Sequence, residues 1–173
     1  TRFLVKTEKD VYGITYKWNE EQTDAELVPA EGFTETIPII DEEGVARDQT
    51  WLYPSRGSCL TCHTPEGGYA LGFNTRQLNM EYAYGEEVRN QIAALVEMGY
   101  LEEPPPYLHA LPALAPADDH SASLTHRVKS YLDANCAQCH QPGGSALANW
   151  DARASTSLRM ANILYGEPVR PSR

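Results

Sequence analysis

Cys136-Ala137-Gln138-Cys139-His140 and its earlier counterpart Cys59-Leu60-Thr61-Cys62-His63 both read C-x-x-C-H. Together they account for all four cysteines of the 173-residue chain. This is the spacing of covalent haem attachment. Two thiols add across the two vinyl groups of one porphyrin, and the adjoining histidine reaches the iron. Two other chemistries use paired cysteines. Four thiolates drawn from both pairs form a tetrahedral zinc site, and a C-x-x-C in a βαβ frame forms a redox couple. A histidine placed identically after both pairs favours haem over zinc. Two copies without a βαβ pattern argue against the redox couple. The sequence therefore predicts two covalently bound haem c groups, held by Cys59 and Cys62 and by Cys136 and Cys139, with His63 and His140 as iron ligands.

Composition bounds the rest. A hydrophobic content of 42% and a charged content of 22% belong to a globular chain of one domain or two small ones. The longest apolar runs fall short of a membrane span. A net charge of −10 argues against nucleic acid as a partner. Residues 1–57 carry 12 acids and 6 bases, 58–120 carry 9 and 2, and 121–173 carry 3 and 6. The surroundings of the first motif are thus acidic and those of the second mildly basic, which is either ordinary solvated surface or a means of steering partners of opposite charge. No signal-peptide core opens the chain at Thr1-Arg2-Phe3-Leu4-Val5. Because such haem attachment normally takes place outside the cytoplasm, the expectation is a mature or excised fragment.

Working outward, residues 1–50 read as a small antiparallel β-rich region. Tyr12 to Trp18 alternates larger apolar groups on even positions with Thr15 and Lys17, and Phe3-Leu4-Val5 is its partner across the polar turn Thr7-Glu8-Lys9-Asp10. Glu26-Leu27-Val28 forms a further short strand. Pro38 makes Ile37-Pro38-Ile39-Ile40 an edge or short strand. The many acids here are surface carboxylates before they are a calcium site. Residues 51–103 form the first haem segment. Pro54 and Gly57 place a loop before its motif, and Val88, Ile92, Leu95 and Met98 place a helix over 86–99, with Glu86 and Glu87 in its first turn. Residues 104–120 are a stiff linker containing Pro104, Pro105, Pro106, Pro112 and Pro116. Residues 121–173 form the second haem segment. It opens with a helix from Ser121-Ala122-Ser123, carries Leu124, Val128, Tyr131 and Leu132 on one face, and runs into Cys136. The resulting expectation is a mainly α fold with irregular loops: two cytochrome c-like haem segments packed together behind the β-rich opening, with Trp51, Trp150 and the tyrosines as pocket walls.

The motifs sit in a longer repeat. Pro65, Gly67-Gly68, Ala70-Leu71, Arg76, Met80 and Tyr84-Gly85-Glu86-Glu87-Val88-Arg89 match Pro142, Gly143-Gly144, Ala146-Leu147, Arg153, Met160 and Tyr165-Gly166-Glu167-Pro168-Val169-Arg170. The repeat pairs Met80 with Met160, the two thioethers placed to serve as second axial ligands. Core filling is the competing role for any methionine. Met98, on a helix face, is a rival for the first iron. His109 is a weaker one, and His120 and His126 read as surface or capping residues.

Several segments resemble a bacterial family of dihaem c-type cytochromes: Tyr53-Pro54-Ser55-Arg56 before Cys59, Leu71 to Asn79, Tyr131 to Asn135 before Cys136, and Gln141-Pro142-Gly143-Gly144 after it. The resemblance implies periplasmic or extracellular, outer-surface redox proteins. Their partners are electron donors and acceptors, including periplasmic dehydrogenases and polysaccharide-oxidising enzymes. It also implies a Met-Pro-Pro-like segment beyond the second motif, which this chain lacks before Arg173. Either the segment is truncated, or Met160 serves, or the second iron is open. The leading expectation is an electron carrier that performs no bond chemistry. The alternative is a dihaem peroxidase-like enzyme or a haem-based sensor using one five-coordinate iron, for which Glu81 is a weak candidate acid.

Overall fold

Strand pairing organises the first part of the chain. The Thr7 hydroxyl accepts hydrogen bonds from the Lys9 and Asp10 amides and closes the turn between β1 (Arg2–Lys6) and β2 (Val11–Trp18). The register sets Phe3 opposite Ile14 and Leu4 opposite Gly13. Strand β3 (Ala25–Leu27) completes an antiparallel sheet of order β1-β2-β3. A separate hairpin pairs β4 (Phe33–Ile40) with β5 (Ala46–Tyr53) along eight residues, Pro38 lying opposite Asp48. Both of its strands are edges, so the missing proline N–H disrupts no ladder. Lys17 of β2 holds the hairpin by its ammonium, 2.7–2.8 Å from the Glu35 carboxylate, above the stacked rings of Phe33 and Tyr53.

The computed structural model describes residues 1–102, 107–164 and 166, and the chain divides into two units, Thr1–Thr64 and Pro65–Arg173. The first unit ends in the short helix α1 (Arg56–Cys59), whose N-cap Ser55 accepts the Ser58 amide. The second contains α2 (Thr75–Leu78), the hairpin of β6 (Glu81–Tyr84) and β7 (Glu87–Asn90), α3 (Gln91–Glu97), a 3-10 turn at Leu108–Ala110 and α4 (Leu124–Cys136). Asn79 binds this unit together: its side-chain amide donates to the Leu111 carbonyl, and its oxygen accepts from Asn90, the N-cap of α3.

The expectation of a mainly α fold is wrong. Among the described residues there are three small antiparallel sheets and four short helices, and strand outweighs helix. The largest local error lies at 86–99. The helix there begins only at Gln91, because Gly85-Glu86 forms a two-residue hairpin connection and Glu87–Asn90 pairs with β6. Of the two glutamates that helical spacing would place in a first turn, Glu86 lies in the hairpin connection and Glu87 pairs with Tyr84. Two faces are also inverted. In β2 the enclosed positions are Gly13 and Thr15, not the larger even-numbered residues. In α4 the expected core face is open, with Leu124, Val128 and Tyr131 exposed. The buried side of α4 is polar: the Ser130 hydroxyl accepts the Ala115 amide, and Arg127 donates to the Ala117 carbonyl. These bonds, with His126 Nε2 at 3.2 Å from the Ala113 carbonyl, lay the described part of the proline-rich linker along the helix. Its Pro104, Pro105 and Pro106 lie outside the described residues, as do all the repeat's closing residues Tyr165 to Arg170 except Gly166.

Among the described residues the buried hydrophobic set is Val28, Ile92, Ala94, Ala137, Ala152 and Ala161, and no large side chain is fully enclosed. Polar strapping must therefore supply stability that apolar burial elsewhere provides. Ser130→Ala leaves the Ala115 N–H without its acceptor. It is expected to destabilise the protein by about 1–3 kcal/mol, read as a lower denaturant midpoint at unchanged slope.

Candidate functional site

The two C-x-x-C-H stretches fold alike. In the first, the Cys62 and His63 amides both donate to the Cys59 carbonyl, at 3.3 and 3.0 Å. In the second, the Cys139 and His140 amides both donate to the Cys136 carbonyl, at 3.1 and 2.8 Å. Each stretch is one helical turn, so residues i, i+3 and i+4 project from the same side. That side carries the two thiols and the imidazole. All four cysteines are unbridged. The turns are reached differently: α1 is a four-residue helix after a Ser55 cap, whereas the second turn continues the thirteen-residue α4.

The first turn stands on the β1–β2 sheet. A cavity of about 330 Å³ is lined by Arg2, Phe3, Leu4, Gly13, Pro54, Ser58, Cys59, Cys62 and His63. Cys59 lies so close to β2 that a Cβ at Gly13 would stand 2.5 Å from its Sγ. The second turn is fixed from downstream. The Cys139 carbonyl accepts the Ala146 amide, and the His140 carbonyl accepts the Ala152 amide. A Cβ at Gly144 would stand 2.2 Å from the Cys139 carbonyl oxygen. Each turn thus packs against one glycine at which a Cβ would collide with it. The imidazole of His140 stacks on the Trp150 indole, centroids 4.2 Å apart and planes 27° apart. Trp150, Asn149, Asp151, Met160 and Asn162 help to line a cavity of about 710 Å³ that begins at Gln141, next to His140.

A polar brace supports this second site. Arg153 grips the Asp151 carboxylate through Nε and Nη2 at 2.7–3.1 Å and holds that carboxyl down at about 2; Thr156 Oγ1 adds a hydrogen bond at 2.7 Å. The Asp151 amide donates to the Ala161 carbonyl, and the Ala154 amide to Asp133 of α4. The segment carrying Trp150 is thereby tied to the helix that carries Cys136.

The three methionines have definite places. Met80 leads into β6, Met98 caps α3, and Met160 lines the larger cavity. They are 45%, 50% and 75% exposed, so core filling is not the role of any of them. Met160 shares a unit with His140. Met80 and Met98 belong to Pro65–Arg173, whereas His63 closes Thr1–Thr64, so neither unit by itself assembles a ligand pair for the first turn. Trp51, expected as a pocket wall, lies on β5 opposite Glu35 and is absent from the lining of the first cavity. Among the described residues no three His, Cys, Asp or Glu side chains converge on a common metal position. The donor sets present, two thiols and one imidazole per turn, fit a covalently attached porphyrin beside each cavity.

Trp150, expected as a pocket wall, lines the larger cavity and stacks on His140. Gly13 was not legible as a site residue, because it meets Cys59 only through a contact distant in the chain, and the Asp151–Arg153–Thr156 brace carries no motif that marks it in the sequence. Compared with known proteins, the chain matches no family model, no curated protein and no solved structure.

Two consequences can be measured. Gly13→Ala forces the Cys59 side chain off β2 and should cost about 1–3 kcal/mol as an overpacked position, while Gly57→Ala, whose Cβ would meet only Ser55 Oγ at 3.9 Å, should be tolerated. Thermal unfolding of the two variants distinguishes them. Because the folded pKa of Asp151 lies below the ordinary 3.8, its contribution to stability is complete above that value and fades as pH falls towards about 2. Asp151→Asn is expected to lower stability at neutral pH and to flatten the acid limb of a stability–pH curve over that window.

Proposed function

We propose that this chain is a dihaem c-type cytochrome module that passes electrons outside the cytoplasm, as its resemblance to the bacterial dihaem cytochromes implies. The observation that carries the reading is the pair of identical Cys-x-x-Cys-His turns, each presenting two free thiols and an imidazole on one side of a single helical turn. Each turn also adjoins a cavity within the size range of small-molecule sites. Bound there, each haem would supply a one-electron iron centre.

The chain's own residues have separable tasks. Cys59 and Cys62, and Cys136 and Cys139, would hold the two porphyrins through thioethers. His63 and His140 would each give an imidazole nitrogen to the iron. Met160, open at the rim of the larger cavity, is the candidate second ligand beside His140. Phe3, Leu4 and Pro54 offer an apolar wall to one porphyrin face, and the Arg2 guanidinium suits a propionate. The thin buried core supports the reading as well, since two large apolar plates would cover side chains that otherwise face water. The partners are a redox donor and acceptor, a dehydrogenase or polysaccharide-oxidising enzyme among the candidates.

The size of the second cavity favours one further reading, in which the iron beside it keeps an open position and binds a small ligand, as in a peroxidase-like enzyme or a sensor.

Expression with c-type haem maturation, followed by intact mass and optical spectra, tests both. The carrier reading expects a mass gain of two haems and two low-spin, six-coordinate irons. Met160→Ala should remove a far-red methionine band from one iron alone. High-spin iron that binds cyanide would move the second haem to the open-site reading. A chain that leaves maturation with four free thiols would overturn both.

A further inference from the structure

We propose that Trp150 is a positioning residue for His140, setting the plane of its imidazole by ring stacking where a hydrogen bond would ordinarily do so; this rests on the dihaem reading above. A histidine that ligates a metal usually donates its other ring N–H to a carboxylate or carbonyl, which fixes the ring and makes it a stronger base. His140 has no such support. Its Nδ1 is buried and meets no hydrogen-bond partner. The neighbour that contacts the ring face is the Trp150 indole, at 4.2 Å and 27°.

The backbone that carries the indole is tied on both sides. The Trp150 amide donates to the Ala148 carbonyl, the Asp151 amide to Ala161, and the Ala152 amide back to the His140 carbonyl. The backbone from 150 to 152 is thus pinned to the residue whose side chain it orients. The neighbouring Asp151 carboxylate is itself held by Arg153 and Thr156. An aromatic pair of this kind contributes about 0.5–1.5 kcal/mol beyond area burial. That is enough to select one ring orientation, though it draws no proton from Nδ1.

The electronic consequence has a sign. An imidazole with no acceptor at Nδ1 is a weaker donor to iron, so the ferric state gains less and the potential lies higher than with an acceptor. Removing the indole frees the ring and lets water reach Nδ1, which should lower the potential of that iron.

The experiment uses the haem-loaded full chain and two variants. Trp150→Phe keeps an aromatic face; Trp150→Leu keeps apolar bulk without one. Intact mass counts the haems, and potentiometric titration followed by electron paramagnetic resonance reads each iron. Trp150→Phe should behave like the parent. Trp150→Leu should keep two haems, alter the low-spin g values of one iron, and shift that iron's oxidised-to-reduced ratio at fixed potential at least tenfold, about 59 mV for one electron; the other iron should not move. If Trp150→Leu carries two haems with both potentials and both sets of g values unchanged, the positioning role is wrong. The same holds if Trp150→Phe departs as far as Trp150→Leu. A parent chain without covalent haem would instead overturn the dihaem reading itself.

Discussion

Two hydrogen bonds, His63 N–H to Cys59 and His140 N–H to Cys136, are the constraint on which the rest of the structure depends. Each closes a helical turn at the place where five residues must put three donor atoms on one side. Without that turn the thiols and imidazole would diverge, and neither cavity would have chemistry beside it. The surrounding structure reads as two different answers to one problem, how to hold a short turn still. The first turn is braced from in front of it in sequence, by the β1–β2 sheet and the bare backbone at Gly13. The second is braced from behind, by amides of Ala146 and Ala152 and by the tight passage at Gly144.

Little of this bracing is apolar. The buried hydrophobic residues among those described are mostly alanines. Side chain-to-backbone hydrogen bonds take over much of the tethering: Ser130 to Ala115, Arg127 to Ala117, Asn79 to Leu111, Asp133 to Ala154. Such bonds are individually modest, but each is costly to break when one partner is enclosed. The open apolar faces of α4 and the exposure of all three methionines belong to the same economy. Among the described residues few large apolar side chains are enclosed by packing against the chain itself.

The parts that could be read in advance are those governed by near neighbours. The β1–β2 turn, the short β3 and the run of α4 into Cys136 follow from alternation, a Thr-x-x-Asp turn and the Ser123 cap. Proline at position 38 correctly marked an edge, but not the length of β4, because strand length depends on the partner β5. The helix over 86–99 failed for a similar reason. Val88, Ile92, Leu95 and Met98 do recur at helical steps, but Tyr82 and Tyr84 with the Gly85 turn offered Val88 a strand partner first. The repeat holds for the motif turns and loosens beyond them: Pro65 opens a turn closed by Gly68, whereas the second turn runs from Gln141 to Gly144.

The sequence by itself determined the chemistry available: which cysteines pair, which histidines adjoin them, and that the donors face one way, because an i, i+3, i+4 set needs only one turn of backbone. Tertiary structure alone decided what surrounds those donors. Gly13 meets Cys59 across 46 positions of sequence, and Trp150 meets His140 across ten. No local propensity encodes such distances, since they exist only once strands have paired and the segment after the second motif has folded back on its own turn.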